Sequence, residues 1–175
     1  MVDLCIPTKY GLVLGMHLKD IIRAPKLVTD LGTWKSNQLM PKAAFPLHGR
    51  TKLVRKVHTW KVIKFNCLGS DFRLLIFYRT SREMYYCWLG LDTNPMTLVA
   101  KYEYHATHPG WHLHACRDVK NAAKGRTSGH FVRVPSPNSH HRQQNFGILT
   151  NDDAHNLAVK KFRLYKKSSD DDLFS

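Results

Sequence analysis

The chain has 175 residues, 43% of them hydrophobic, which fits one globular domain whose core closes without disulfides or metals. Lysine and arginine number 27 against 13 aspartates and glutamates, so the formal net charge is +14 at pH 7. A charge of this size is informative about partners rather than about the fold, and it favours a polyanion such as nucleic acid. No long amphipathic basic helix is evident in the sequence, which argues against an acidic membrane surface as the partner.

Motif patterns exclude several functional classes. The sequence contains no G-x-S-x-G, H-E-x-x-H or G-x-G-x-x-G pattern, so α/β-hydrolase, metalloprotease and dinucleotide-binding functions lack support. The cysteines show no C-x-x-C spacing, which indicates neither a zinc knuckle nor a disulfide framework. No signal-peptide pattern opens the sequence, and no run approaches about 18 consecutive apolar residues. We therefore expect a cytoplasmic protein without a membrane partner.

The first third of the chain predicts little regular structure. Residues 1–50 are expected to form an N-terminal wrapping segment, with a short helix over "MHLKDIIRAPKLV" that Pro25 ends or kinks. The glycines and prolines that follow indicate irregular chain. Apolar side chains in that part are expected to pack onto the rest of the molecule: Leu31, Trp34, Leu39 and Phe45.

The middle of the chain predicts a sheet. Residues 53–118 consist of short β-branched and aromatic runs separated by the turn signals "LGSD", "TSRE", "TNP" and "ATHPG". Because the connections are short, an antiparallel meander of about five strands is the simplest topology. Residues 119–147 read as a polar loop region, with "HFVRV" as a short edge strand.

The last part predicts a helix over residues 151–167. Thr150 or Asn151 can cap it, and Asp152 and Asp153 suit the positive end of its dipole. The prediction is a single α+β domain over residues 1–175, in which the meander packs with the wrapping segment and the C-terminal helix.

The segment "KYEYHATHPGWHLHACRD" (101–118) concentrates groups that titrate near neutral pH. Strand alternation places His112, His114 and Cys116 on one face. If "ATHPG" is a five-residue loop, Tyr104 lies opposite His112 and Tyr102 opposite His114. A slip of one residue replaces the tyrosines with Glu103 and His105. The hairpin register therefore decides what surrounds the histidines.

Three interpretations of this patch remain open. His112 and His114 can act as an acid/base pair that cleaves RNA without a metal, with Tyr102 or Tyr104 orienting them and Arg117 meeting the phosphate. They can instead bind zinc, with Cys116, His105 or Glu103 completing the ligand set. The third interpretation is a half-solvated sheet face without chemistry.

A basic run with interleaved aromatic residues suggests nucleic-acid contacts. In "HGRTKLVRKVHTWK" (48–61), cationic side chains can follow phosphates and aromatic ones can stack on bases. A solvated edge strand is the alternative. The candidate nucleic-acid-binding residues are Arg50, Lys52, Arg55, Lys56, His58, Trp60 and Lys61, with Arg126 from the glycine-containing "GRTSGH" loop.

The hairpin resembles a group of small prokaryotic proteins of the toxin–antitoxin and mobile-defence type. The resemblance rests on Lys101 and Tyr102, a polar turn, and then a G-x-H-x-H motif followed by a small residue: Gly110, His112, His114 and Ala115. It covers residues 72–118 and the final helix. It implies an RNA-targeting toxin or a relative of one, and an acidic antitoxin-like protein as a partner.

These observations lead to one functional expectation and two alternatives. We expect a basic protein that interacts with nucleic acid, RNA favoured, and acts as a cofactor-free ribonuclease of toxin type through a histidine acid/base pair. The first alternative is a zinc-binding hydrolase or structural metal protein that uses His112, His114 and Cys116. The second is a non-catalytic module of a phage or mobile element that binds nucleic acid or an acidic partner.

Overall fold

The structure is a computed structural model that describes residues 16–44, 57–93, 96–105, 108–116, 123–124, 131–134 and 145–164. Two helices, α1 and α2, span Leu18–Arg23 and Asn151–Phe162. Nine strands, β1 to β9, lie at Leu27–Asp30, Lys35–Leu39, Val57–Cys67, Ser70–Arg79, Met84–Leu91, Thr97–His105, His108–Cys116, Ala123–Lys124 and Phe131–Val134. Short 3₁₀ turns occupy Lys42–Ala44 and Thr80–Arg82.

The nine strands form one antiparallel sheet. Its order is β1-β3-β4-β5-β6-β7-β9, while β2 pairs with another part of β3, and β8 pairs with β6. The five long strands from β3 to β7 follow one another in space as they do in sequence, because each connection is short. The predicted antiparallel sheet and C-terminal helix are thus confirmed, and "HFVRV" supplies the edge strand β9.

The turn between β3 and β4 illustrates how local sequence sets the pairing. Cys67 pairs with Ser70, which leaves Leu68 and Gly69 as a two-residue turn. Both residues have positive φ angles, 52° and 72°. Positive φ at both central positions characterises the type I′ turn, whose twist matches that of the flanking strands. This turn therefore aligns the hairpin predicted from "LGSD".

One face of the sheet, which we call the helix face, carries the larger core. Buried side chains from the strands include Ile63, Leu74 and Tyr85, and α2 packs its buried Ala158 and Phe162 into the same cluster.

The buried Ile21 of α1 and the partly buried Trp34 join this cluster, as expected for the N-terminal segment. The expectation was wrong for Leu31 and Leu39, which are 48% and 60% exposed, and β1 and β2 form where irregular chain was predicted. The predicted helix to residue 167 is too long, because α2 ends at Phe162 and Arg163 has a left-handed φ angle of 49°. The rest of the N-terminal segment and the residues beyond 164 lie outside the described residues.

The opposite face, which we call the histidine face, has a smaller apolar cluster and the polar residues of interest. Leu75, Phe77 and Trp88 are buried there, and Met40 and Ala44 from the chain after β2 pack against them. These contacts exclude water from the centre of the face. The polar groups beside the cluster therefore lie in surroundings of low polarity, where electrostatic interactions are strong.

The start of α2 has the predicted cap. Thr150 accepts a hydrogen bond from the Asp153 backbone N–H, and the Asp153 carboxylate accepts one from the Thr150 backbone N–H. This capping box satisfies two of the N–H groups that a helix leaves without intrahelical partners. Tyr78 of β4 donates its hydroxyl to Asn151 at 2.8 Å, which fixes the helix start against the sheet.

Candidate metal centre

The register of the β6–β7 hairpin brings a carboxylate to the two histidines. Glu103 pairs with His112, and Lys101 pairs with His114. His105 pairs with His108, so only two residues connect the paired strands, rather than the predicted five-residue loop. The pairing shifts between Glu103 and His105, where β7 contains an irregularity.

Gly110 accounts for this irregularity. Its φ angle is 103°, a region that side chains with a Cβ rarely enter, and extra residues of β7 lie opposite β6 at this point. The expectation that the tyrosines lie opposite the histidines is therefore wrong. The short connection and the bulge together slip the register by one residue in the direction that places Glu103 and Lys101, and not His105, opposite His112 and His114.

The two oxygens of the Glu103 carboxylate have different neighbours. Oε1 accepts a hydrogen bond from Nε1 of Trp88 at 3.0 Å and lies 3.4 Å from the Lys101 ammonium. Oε2 lies 3.7 Å from Nε2 of His112 and 3.9 Å from Nε2 of His114. One oxygen is thus held by donors, while the other faces two imidazole nitrogens.

The orientation of His112 follows from its other ring nitrogen. Nδ1 lies 3.0 Å from the backbone carbonyl oxygen of Gly110. A carbonyl oxygen only accepts, so Nδ1 carries the hydrogen and donates it. In the neutral imidazole, Nε2 then presents a lone pair to the Glu103 carboxylate. Two acceptors facing each other are stabilised by a cation between them, either a proton that converts His112 to imidazolium or a metal ion.

Glu103 is ionised despite its burial. Burial by itself raises the pKa of this carboxyl group, but the contacts with His112, Lys101, His114 and Trp88 outweigh burial and bring the pKa below its ordinary range. The side chains of Glu103 and His112 are only 6% and 3% exposed, whereas that of His114 is 28% exposed. Solvent therefore reaches the group from the His114 side.

Aromatic contacts hold the histidine rings in place. Phe77 stacks on Tyr86 with a centroid distance of 4.8 Å, and Tyr86 stacks on His105 at 6.0 Å. His105 then meets His112 edge-to-face at 5.0 Å, and His112 meets His114 in the same way at 5.0 Å. Edge-to-face and stacked arrangements of this kind are favourable for aromatic pairs. This row of rings, which runs from Phe77 through Tyr86, His105 and His112 to His114, holds the imidazoles in position before any ligand binds.

The separations suit a small divalent ion. The ligand atoms of Glu103, His112 and His114 all lie within 4.8 Å of one another. Zinc bonds of about 2.0–2.2 Å place neighbouring ligands of a tetrahedron about 3.3–3.6 Å apart. The two distances from Glu103, 3.7 and 3.9 Å, exceed that range by a few tenths of an ångström, and the two imidazoles would approach each other when an ion binds. With these three residues as ligands, a zinc ion would have one position open for a water or substrate oxygen.

Several predicted site residues lie elsewhere. Tyr102 and Tyr104 belong to the helix-face core, where both rings pack against Trp111. They therefore do not touch His112 or His114. Cys116 is buried on β7 and is not part of the convergent ligand group, in which Glu103 is the third member. Arg117 lies outside the described residues.

The predicted nucleic-acid-binding residues fall into two groups. His58 is 1% exposed and packs edge-to-face against Phe77, so it is not available for stacking on a base. The ammonium of Lys61 lies 5.8 Å from the centroid of the Trp34 ring, and Trp60 is half-buried on the histidine face. The remaining candidates lie outside the described residues: Arg50, Lys52, Arg55, Lys56 and Arg126.

Two residues of the site, Glu103 and Trp88, were not clearly predicted from the sequence. Glu103 appeared only among the alternatives, although a carboxylate in the apolar run "MTLVAKYEYH" signals a buried charge that needs partners. Trp88 was not expected at the site. Its position in "MYYCWLGLD" places it on the face opposite Tyr85 and Cys87, but only the pairing of β5 with β6 reveals that it reaches Glu103.

No protein-family model, no curated protein and no solved structure matches this chain. The helices in the described part of the chain are too short and too polar to cross a membrane. The arrangement around Glu103 is therefore the feature of this protein that points to a function.

Proposed function

We propose that Glu103, His112 and His114 bind one divalent transition-metal ion, with zinc as the first candidate, and that the chain is a metal-dependent phosphodiesterase acting on nucleic acid. The observation that carries the proposal is the approach of two imidazole Nε2 atoms to the same oxygen of a buried carboxylate. Imidazole and carboxylate are ligands that zinc accepts readily.

The neighbours of the ligands support metal binding. Metal-binding histidines characteristically donate their second N–H to a backbone carbonyl or carboxylate, as His112 does to Gly110. Ligating carboxylates are similarly held by their neighbours, here by a hydrogen bond from Trp88 and an ion pair with Lys101 at the oxygen that faces away from the histidines. These contacts orient the ligand atoms and reduce the entropy lost when an ion binds.

The open position defines the proposed reaction. A metal ion held by Glu103, His112 and His114 would let a water at this position release a proton more readily than bulk water, and the water oxygen would then form a bond to the phosphorus of a phosphodiester. The bond from phosphorus to one ester oxygen breaks, and that oxygen takes up a proton. The reactants are water and the diester, and no redox partner is needed. The net charge of +14 favours a polyanionic substrate, for which RNA is our first candidate.

A second candidate function is the metal-free histidine acid/base ribonuclease. The contacts of His112 and His114 with Glu103, at 3.7 and 3.9 Å, also favour this function. A protonated imidazole of either histidine balances the charge of the Glu103 carboxylate, as a metal ion would. The burial of His112 argues against it, since an acid/base group must reach the 2′-hydroxyl or the leaving oxygen of the substrate.

Equilibrium dialysis against Zn²⁺ and the visible absorption of the Co²⁺-loaded protein test the proposal. We expect one equivalent of metal and a Co²⁺ spectrum of low coordination number. Glu103→Gln and His112→Gln should each weaken binding by more than the about 10–100-fold that loss of an outer-shell partner costs. His155→Gln and Glu83→Gln, which alter a histidine on α2 and an exposed glutamate, should bind as the wild type does.

RNA cleavage with and without a chelator separates the two candidates. The metal-dependent enzyme should lose activity in the chelator and regain it when Zn²⁺ is added. Cleavage that persists in the chelator and disappears in His114→Gln favours the metal-free candidate. Failure to bind any divalent ion at micromolar concentration contradicts the metal centre directly, whatever the activity.

A further inference from the structure

A polar cavity, apart from the metal centre, opens at the end of the sheet where β6 ends and β7 begins. It has a volume of about 290 Å³, close to the lower end of the roughly 300–1,000 Å³ typical of small-molecule sites. It lies where β3 begins and β4 ends, beside the 3₁₀ turn Thr80–Arg82, and β2 contributes to its wall.

The lining of this cavity is suited to an anion. The residues around it include Asn37, Thr59, Arg79, Thr80 and Ser81. Each carries a side-chain hydrogen-bond donor, one is a permanent cation, and no acidic side chain lines the cavity in the described part of the chain. Among the described residues, the ion pairs of the sheet involve other cations, Lys64, Arg73 and Lys101, and not Arg79.

Three strand spacings separate the cavity from the metal centre. Arg79 lies on β4 and His112 on β7, three strands away, and neighbouring strands are about 4.7–4.9 Å apart. The two positions are therefore roughly 14 Å apart across the strands, and Arg79 lies two residues, about 7 Å, further along the strand direction than His112. The row formed by Phe77, Tyr86 and His105 lies between them on the histidine face. A strand of a few nucleotides spans this distance with one phosphate at each end.

We propose that the cavity is a phosphate subsite for single-stranded nucleic acid, in which the Arg79 guanidinium and the hydroxyls of Thr80 and Ser81 bind a phosphate a few nucleotides from the one at the metal centre. Arginine suits this role because its planar fork donates two parallel hydrogen bonds to phosphate oxygens. The choice of nucleic acid as the ligand rests on the proposed function, whereas the anion site depends only on the cavity and its lining.

The test uses a fluorescently labelled RNA hexanucleotide and the full chain in a chelator, so that metal binding plays no part. Fluorescence anisotropy should show that Arg79→Gln raises the Kd about tenfold, the effect of losing a hydrogen bond to a charged group. The slope of log K against log salt should become shallower by about one, because one phosphate contact is lost. Arg82→Gln removes an exposed arginine of the adjacent turn and serves as the matched control.

Each result of the anisotropy measurements either supports or overturns the phosphate subsite. A Kd that rises with Arg79→Gln and not with Arg82→Gln supports the subsite, and Ser81→Asp should weaken binding in the same direction by placing a carboxylate at the cavity. Equal effects of the two arginine variants overturn it, because they indicate diffuse electrostatic attraction. Absence of hexanucleotide binding, or tight binding only of inorganic phosphate or a mononucleotide, also overturns it. Zn²⁺ affinity should be unchanged in Arg79→Gln, so a failed metal centre and a failed subsite are recognised separately.

Discussion

The indole Nε1 of Trp88 donates a hydrogen bond to Oε1 of Glu103 at 3.0 Å, from the neighbouring strand and within the buried cluster of the histidine face. This contact satisfies a buried indole N–H and a buried carboxylate oxygen at once. It also turns the second oxygen of Glu103 toward His112 and His114. A side chain of the apolar core thus positions the group that defines the site.

Trp88→Phe tests that role. The variant keeps an aromatic ring but removes the donor, so the Glu103 carboxylate loses a hydrogen bond in a buried environment. We expect Zn²⁺ affinity to fall about 10–100-fold and the free energy of unfolding of the metal-free protein to fall by about 1–3 kcal/mol. Dialysis and urea unfolding provide the two measurements.

Trp34→Phe is the control for Trp88→Phe. Trp34 packs edge-to-face against Tyr78 at 5.8 Å, away from Glu103. Its substitution should leave Zn²⁺ affinity unchanged. Equal losses of affinity in both variants would argue that Trp88 supports the sheet in general rather than Glu103 in particular.

Tyr102→Phe tests the register of the hairpin. The Tyr102 ring lies on the helix face, where the Lys161 ammonium is 4.3 Å from its centroid, and burial raises the pKa of its hydroxyl to about 12. Loss of that hydroxyl should therefore leave both Zn²⁺ affinity and RNA cleavage as in the wild type. A loss comparable to that of His112→Gln would instead support the register in which Tyr102 lies beside His114.

Gly32→Ala tests the packing of the chain between β1 and β2. Gly32 has a φ angle of 59°, and a Cβ atom there would overlap the backbone carbonyl of Val62 on β3. Gly69 has a similar φ angle of 72° with no atom within 4 Å of such a Cβ. Gly69→Ala should lower the free energy of unfolding by about 1–2 kcal/mol, because alanine is strained in the left-handed backbone conformation. Gly32→Ala should lower the free energy of unfolding by clearly more, as measured by urea unfolding. Equal decreases in the two variants would contradict the close approach of Gly32 to the Val62 carbonyl.

Asp153→Asn tests the capping box through its pH dependence. Hydrogen bonds from the Thr150 hydroxyl and from the backbone N–H groups of Leu149 and Thr150 lower the pKa of Asp153 in the folded state. A lowered folded pKa stabilises the protein above the unfolded value of about 3.9, and this contribution disappears as the pH falls through the folded value. The free energy of unfolding of the wild type should therefore exceed that of Asp153→Asn by the largest amount at pH 7, and this difference should decrease below about pH 4.

The control for this pH dependence is Asp152→Asn. Asp152 lies in the same first turn of α2 but takes no part in the capping box. Its substitution should cost less than that of Asp153 at pH 7. Unfolding curves of the three proteins at pH 7 and pH 3 provide the comparison, and a gap for Asp153→Asn that is the same at both pH values would contradict the cap.

The amino-acid sequence by itself determined the features that depend on neighbouring residues. Leu68 and Gly69 form the predicted turn because local chain geometry favours it, and Thr150 caps α2 through contacts within four residues. Alternation along β7 places His112 and His114 on one face in any register, so the histidine pair was predictable.

Only the tertiary structure decided what the histidine pair faces. A bulge at Gly110 and a connection of only two residues shift the pairing by one position, which places Glu103 and Lys101 opposite the histidines in place of the tyrosines. Trp88 reaches that carboxylate from a third strand, a contact that no sequence spacing specifies. The physical reason is that a one-residue slip moves every side chain to the other face at little local cost, so register is chosen by burial across the whole sheet.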